Sequence, residues 1–228
     1  YPALAYTYFF IAMVHVARGR LALAEEALRQ GLMHEDQQVR TDRFPGRGLH
    51  WLLGLTRLAS GDLLGARAEF ERELTSAGGE IYAADYSIRA YNGQGFTFLE
   101  EGNTVAAARM FGRALEFLPD HARSLVGLVE AYRRGGHKKE AASAFERAER
   151  ALEALRANER TMEASMVTAF AHVASGRPAE AIATLDQFLS EAPPGLAGWT
   201  IPVEPLFAQL NNEPGFQRVL ARLAERAR

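Results

Sequence analysis

The sequence predicts an all-α solenoid of five helix pairs, closed at its C-terminal end by a capping helix. Three regularities predict it. Glycine-led turn signals recur at Gly19-Arg20, Gly61-Asp62, Gly102-Asn103, Gly136-His137 and Gly176-Arg177. Five residues after each glycine stands an alanine (Ala24, Ala66, Ala107, Ala141, Ala181), and four further on a large apolar residue (Leu28, Phe70, Phe111, Phe145, Leu185). Seven residues before each glycine the side chain is small or nearly so: Ala12, Gly54, Gly95, Val129 and Ala169. Recurrence at this spacing marks a helix–turn–helix unit that is stacked on copies of itself.

Each regularity has a physical reason. Glycine enters the left-handed region that ends a helix without steric cost. The alanine lets the second helix of a pair approach the first closely. The Leu or Phe one turn later fills the space between neighbouring pairs. One pair alone cannot bury its apolar face, so the pairs stack into one continuous core.

Along the chain, the apolar run Ala3–Ala17 reads as the first helix of pair one. It is shorter than the roughly 20 residues needed to cross a bilayer, lacks a basic flank ahead of it and contains His15. Extra residues between pairs fall around His34–Pro45, Ser76–Tyr86 and Leu152–Arg160, where they lengthen helices or add loops. Gly93-Gln94-Gly95 lies inside a helical pattern and reads as a close-packing site. Pro193-Pro194-Gly195 breaks the repeat, so residues 1–193 form the helix-pair array and 194–228 the connector and capping helix. Within the latter, Gly198–Pro205 reads as extended and Pro205–Leu210 as a short helical turn. Asn212, with Pro214 just inside, starts a final helix through Arg226 whose apolar stripe is Phe216, Val219, Leu220 and Leu223.

Composition limits the function. The chain is 48% apolar and 24% charged, with a net charge of −2, so it lacks the basic surplus of a general nucleic-acid or acidic-membrane binder. It has no cysteine, which excludes disulfides, thiolate catalysis and cysteine-held zinc. No phosphate loop, dinucleotide fingerprint, HExxH or GxSxG pattern occurs. No catalytic residue, cofactor or metal is therefore predicted. His34, with Glu35 and Asp36, reads as a solvated loop cluster, not a metal site. His15 and His172 occupy equivalent packing positions, and His50, His121 and His137 are expected at exposed helix starts or turns. The basic cluster Arg133, Arg134, His137, Lys138 and Lys139 reads as a solvated turn beside a helix C-terminus, whose dipole favours cations.

Each window resembles a tetratricopeptide repeat. The best match is Tyr91–Pro119, which carries Gly95, Phe98, Gly102, Ala107, Phe111, Ala114, Leu115 and Pro119 at the family's positions. The resemblance spans about residues 5–193 and departs at the first-helix positions His50 and Ser165. It implies a right-handed superhelix with the first helix of every pair on the concave side. It also implies that Phe9, Met13, Trp51, Leu55 and Leu58 line the N-terminal part of the groove. Arg89, Asn92 and Phe96 would line the middle; Arg123, Val126, Glu130 and Arg133 the fourth pair; Met166 and Phe170 the fifth. The lysine and asparagine set with which some relatives clamp a chaperone's C-terminal carboxylate is replaced here by Phe9, Met13 and Leu52. Residues 202–223 also resemble the endings of repeat arms in bacterial multidomain signalling proteins, such as adenylate cyclases and winged-helix regulators.

Two readings of the inner wall stand side by side. In one, it holds a partner peptide or protein with apolar side chains and a carboxylate that meets Arg89 or Arg123. In the other, the same apolar residues are covered from within, by an upstream domain, a longer helix or the C-terminal segment with Trp199. The expected function is a protein–protein interaction scaffold, not an enzyme, in the cytoplasm, with no nucleic-acid partner and with homo-oligomers left open. The alternative is a regulatory or sensory arm of a larger signalling enzyme or transcription regulator, which the start at Tyr1 in place of Met fits.

Overall fold

The computed structural model describes residues 3–37, 48–76 and 83–227. Among the described residues lie eleven α-helices and two 3-10 helices, with no strand. Ten of the helices form the five expected pairs: α1 (Ala3–Ala17) with α2 (Leu21–Gln37), α3 (Leu49–Ala59) with α4 (Leu63–Ser76), and α5 (Ala83–Glu100) with α6 (Thr104–Phe117). The remaining pairs are α7 (Ala122–Arg134) with α8 (Lys138–Ala157), and α9 (Thr161–Ala174) with α10 (Pro178–Glu191). The second helix of each pair packs on the first helix of the next, so the array is a solenoid. Two 3-10 helices, Ile201–Val203 and Pro205–Leu210, and α11 (Pro214–Arg226) complete it. No helix among the described residues is long and apolar enough to cross a membrane.

The turns form as their glycines require. Gly19, Gly61, Gly102, Gly136 and Gly176 all take positive φ, from +66° to +83°. The residue after each donates its N–H to the carbonyl five positions back, as in Arg20 N to His15 O at 2.8 Å and Asn103 N to Phe98 O at 2.8 Å. This is the 6→1 bond that closes a helix on a left-handed residue. A sixth turn of the same form joins α8 to α9 without glycine. There Glu159 sits at φ +58°, and Arg160 N donates to Leu155 O at 3.0 Å.

The two seams that flank the third pair are built around aromatic rings. Phe70 of α4 is fully buried between Gly54 of α3 and Gly93 of α5. Phe111 of α6 is held in the same way between Gly95 of α5 and Gly127 of α7. A Cβ at any of these four glycines would lie 2.3–2.7 Å from a ring carbon, closer than atoms can pack. The Gly93–Gly95 pair is therefore a packing device, and the close approach is what admits the ring. Ala24, Ala66, Ala107 and Ala181 are fully buried, but Ala141 and Phe145 of α8 are only half-buried, so the fourth pair holds its second helix more loosely.

Elsewhere the structure refines the expectations. The extra residues 152–160 lengthen a helix: α8 runs 20 residues, to Ala157. Most of the other two extra stretches lie outside the described residues. Residues 201–203 of the expected extended connector coil into a 3-10 turn, and α11 is capped at Glu213, not Asn212.

The C-terminal segment changes the shape of the molecule. It turns back across the concave side, where its 3-10 helices pack on α1, α3 and α9. Then α11 lies on α10 and reaches α1, and Arg18 Nε donates to Ala227 O at 2.9 Å. The first and last elements of the array thus meet, and the inner wall is covered by its own chain. A broad aromatic wall left in water is unfavourable in a monomer, which is the physical reason for the cover.

Candidate functional site

Helices α1, α3, α5, α7 and α9 present the wall because their other faces are committed to the glycine and alanine seams. Phe9 of α1 and Trp51 of α3 both meet Trp199 edge-on, each with ring centroids 6.2 Å apart. The Arg89 guanidinium lies 5.0 Å over the Trp51 ring and pairs with Asp85 at 2.9 Å. Phe96 stands edge-on to Phe111 at 5.0 Å, with the Arg123 guanidinium 5.4 Å over its ring. Arg123 also reaches Glu204 at 2.6 Å, with side-chain exposures of only 13% and 7%. Phe170 packs on Phe207 at 4.9 Å. Asn92 is buried, and its Oδ1 accepts from Ser124 Oγ at 2.8 Å. Leu55 and Val126 are buried, Met13 and Met166 are half-buried against the core, and Leu58 borders the covering segment.

The predicted residues therefore divide into two sets. Phe9, Trp51, Phe96, Arg123 and Phe170 gather around residues 199–207, with Arg89 stacked on Trp51. Glu130 and Arg133 form the rim: they pair with each other at 2.8 Å near the end of α7, where Glu130 is buried and lines a cleft with Pro205 and Leu206, Arg134 also reaches it at 2.6 Å, and Arg133 stays exposed. Burial pushes the Glu130 carboxyl up, but hydrogen bonds and charge from Arg133 and Arg134 override it and leave it below the usual range. A carboxylate for Arg123 was expected, and the chain itself supplies it from Glu204.

The helix pairs, their left-handed glycine turns and the small-residue seams repeat down the chain. Residues 93–152 and 144–196 match the tetratricopeptide repeat family model. Residues 93–196 of the chain carry tetratricopeptide repeats. Among solved structures, it is similar in fold to TTC0263, a thermophilic TPR protein of Thermus thermophilus. That match has 17% identity and a TM-score of 0.53 over 96% of this chain and 98% of that one. A crystal structure of MamA protein aligns at 17% identity and a TM-score of 0.49, over 83% of this chain and 92% of that one. No curated protein matches the sequence.

The wall holds residues 199–210 largely through apolar burial. Ile201, Val203, Leu206, Phe207 and Leu210 are all buried. Each such side chain contributes about 1.5–3 kcal/mol, while fixing each residue of an irregular stretch costs about 1–2 kcal/mol. The hold and its ordering cost are thus of one size. Several wall donors have no acceptor: Trp51 Nε1, Asn92 Nδ2 and Arg123 Nε are buried without a hydrogen-bond partner.

Sequence reasoning placed three histidines wrongly. His50 is half-buried and meets Glu69 at 2.7 Å; His121 is half-buried and caps α7, its Nδ1 accepting from Ser124 N at 3.3 Å. Burial, then the charges of Arg123 and Arg89, lower His121 to about 4. His34 lies not in a solvated loop but within α2, half-buried and stacked on Tyr8 at 5.4 Å because the helix runs on to Gln37, and the side chains of its acidic neighbours lie outside the described residues. Glu204 and Phe207 were missed as wall contacts. Their only signal was an acid between prolines, Pro202 and Pro205, in a segment read as a connector.

Proposed function

We propose that this repeat array is a protein-interaction scaffold whose concave wall binds polypeptide. Phe9, Trp51 and Phe96 serve as apolar anchors, and Arg89 and Arg123 as carboxylate receptors, with Met13, Leu55 and Asn92 completing the wall and Glu130 and Arg133 its rim. One observation carries the reading. The wall grips an irregular stretch of chain through side chains alone, an aromatic at one end and a carboxylate on Arg123 in the middle. A surface that recognises one such stretch by anchor residues has the chemistry to recognise another. Its role is binding, not bond making.

Arg89 is the residue to test, because it is half-exposed and its loss empties no cavity. A partner captured by the intact chain from its native source, then purified, is expected to bind Arg89→Glu at least tenfold more weakly at low salt. The difference should shrink as salt rises, since exposed charges are screened within about 8 Å at physiological ionic strength. Equal affinity of the two proteins at every salt concentration, with helicity unchanged, would remove the wall as the binding surface.

A further inference from the structure

We propose that residues 199–210 are a displaceable ligand of the concave wall, and that a partner enters by replacing them with a segment in which apolar anchors flank a carboxylate. The proposal rests on the reading of the wall as a polypeptide-binding surface and adds to it both the partner's chemistry and a closed state.

Three observations carry it. First, the segment's backbone hydrogen bonds are local, Ile201 N to Gly198 O at 2.9 Å and Phe207 N to Glu204 O at 2.9 Å. Its grip on the wall comes from Trp199, Glu204 and Phe207. Second, it leaves buried donors of the wall unpaired. Trp51 Nε1 and Arg123 Nε are buried on the two side chains that meet Trp199 and Glu204, and neither has an acceptor. An unpaired buried donor is expensive, so a competitor that brings acceptors to these groups binds better than the resident segment. Third, the segment does not seal its own edge. A cleft of about 270 Å³ lies between it and the helix ends, lined by Leu58, Leu63, Glu100, Pro202 and Ala208. A neighbouring cleft of about 310 Å³ continues along Pro205 and Gln209 toward Arg134. Together they expose one flank of the segment to an incoming chain.

The tether gives the resident segment its advantage. A covalently linked ligand acts at an effective concentration of the order of millimolar, so a free copy of the same sequence competes poorly with it. Weakening the resident contacts shifts that balance without altering the wall.

The test uses the full chain and a fluorescent peptide with the sequence of residues 197–211. The Glu204→Gln chain is expected to bind this peptide at least tenfold more tightly than the unaltered chain, and the same peptide carrying Glu204→Gln should lose that gain. Phe207→Leu provides a second weakened chain if the first does not fold. In parallel, amide hydrogen exchange of the unaltered chain should show residues 199–210 opening at least tenfold more often than the amides of α3 and α7. Exchange of the segment only together with α3 and α7 would overturn the displaceable state, while the wall reading would still stand or fall on Arg89→Glu. Opening of the segment with no peptide bound to either weakened chain would overturn the partner chemistry.

Discussion

On either side of the third helix pair, a single side chain sets how near the axes come. Phe70 and Phe111 fit only because glycine faces them from both sides. A Cβ at Gly127 would sit 2.3 Å from the Phe111 ring, and that ring is fully buried with nowhere to turn. Gly127→Ala is therefore expected to lower stability by about 1–3 kcal/mol, the usual cost of overpacking, measured by urea unfolding. Substitution at Glu159 runs the other way. Its φ of +58° strains a non-glycine residue, and the left-handed conformation costs roughly 1–2 kcal/mol. Part of that is offset by the greater freedom of glycine in the unfolded chain, so Glu159→Gly should raise stability by about 0.5–1 kcal/mol in the same assay. The glycine and alanine spacing was legible in the sequence because steric demands leave few residue types to choose from. The turn at Glu159 was not, since no glycine marks it.

At the level of the helix, burial of polar groups governs behaviour that the sequence did not disclose. His121 was expected in water because it begins a helix. Instead α7 uses its ring as a cap, beside Arg123 and Arg89. The folded state holds it at about 4, below its ordinary value of 6.5, chiefly through burial. Between those two values the unfolded chain binds the proton and the folded one does not, so stability is complete above about pH 6.5 and declines as pH falls toward 4. His121→Asn keeps a capping acceptor and removes the titration. Its melting temperature should fall less than that of the unaltered chain between about pH 6.5 and 4.5, and parallel curves would reject the assignment. Glu69 adds to the acid sensitivity. Burial raises its carboxyl, but the hydrogen bond from His50 and the charges of His50, Arg72 and Arg57 outweigh it and leave it lowered. Its contribution is present above the ordinary carboxylate range and lost as pH falls through it. Helix positions follow from periodicity, whereas the state of a polar side chain depends on what a distant element lays across it. That is why His50 and His121 were misread.

The whole molecule departs from a plain repeat array in how its parts are coupled. Stacked repeats touch only their neighbours, so an open solenoid unfolds with limited cooperativity. Here residues 199–207 join the wall at both ends, Trp199 to Phe9 and Trp51, Glu204 to Arg123, and Phe207 to Phe170. With Arg18 bonded to Ala227 O, pair one is tied to the last helix. These ties cross most of the chain, which is why local sequence pattern could nominate the wall but not say what covers it; Trp199 was the one hint, as an aromatic in an otherwise irregular stretch. The unaltered protein should therefore unfold in urea in one transition, reported alike by far-ultraviolet circular dichroism and tryptophan fluorescence. Trp199→Ala removes the ring that links Phe9 to Trp51 while every seam between pairs stays intact. Pair one should then melt ahead of the rest, with a smaller m-value or two resolved steps, because less surface is exposed in each cooperative event. A single transition with an unchanged m-value, merely moved to lower urea, would mean that the seams alone make the molecule cooperative and that the segment across the wall contributes only its own burial.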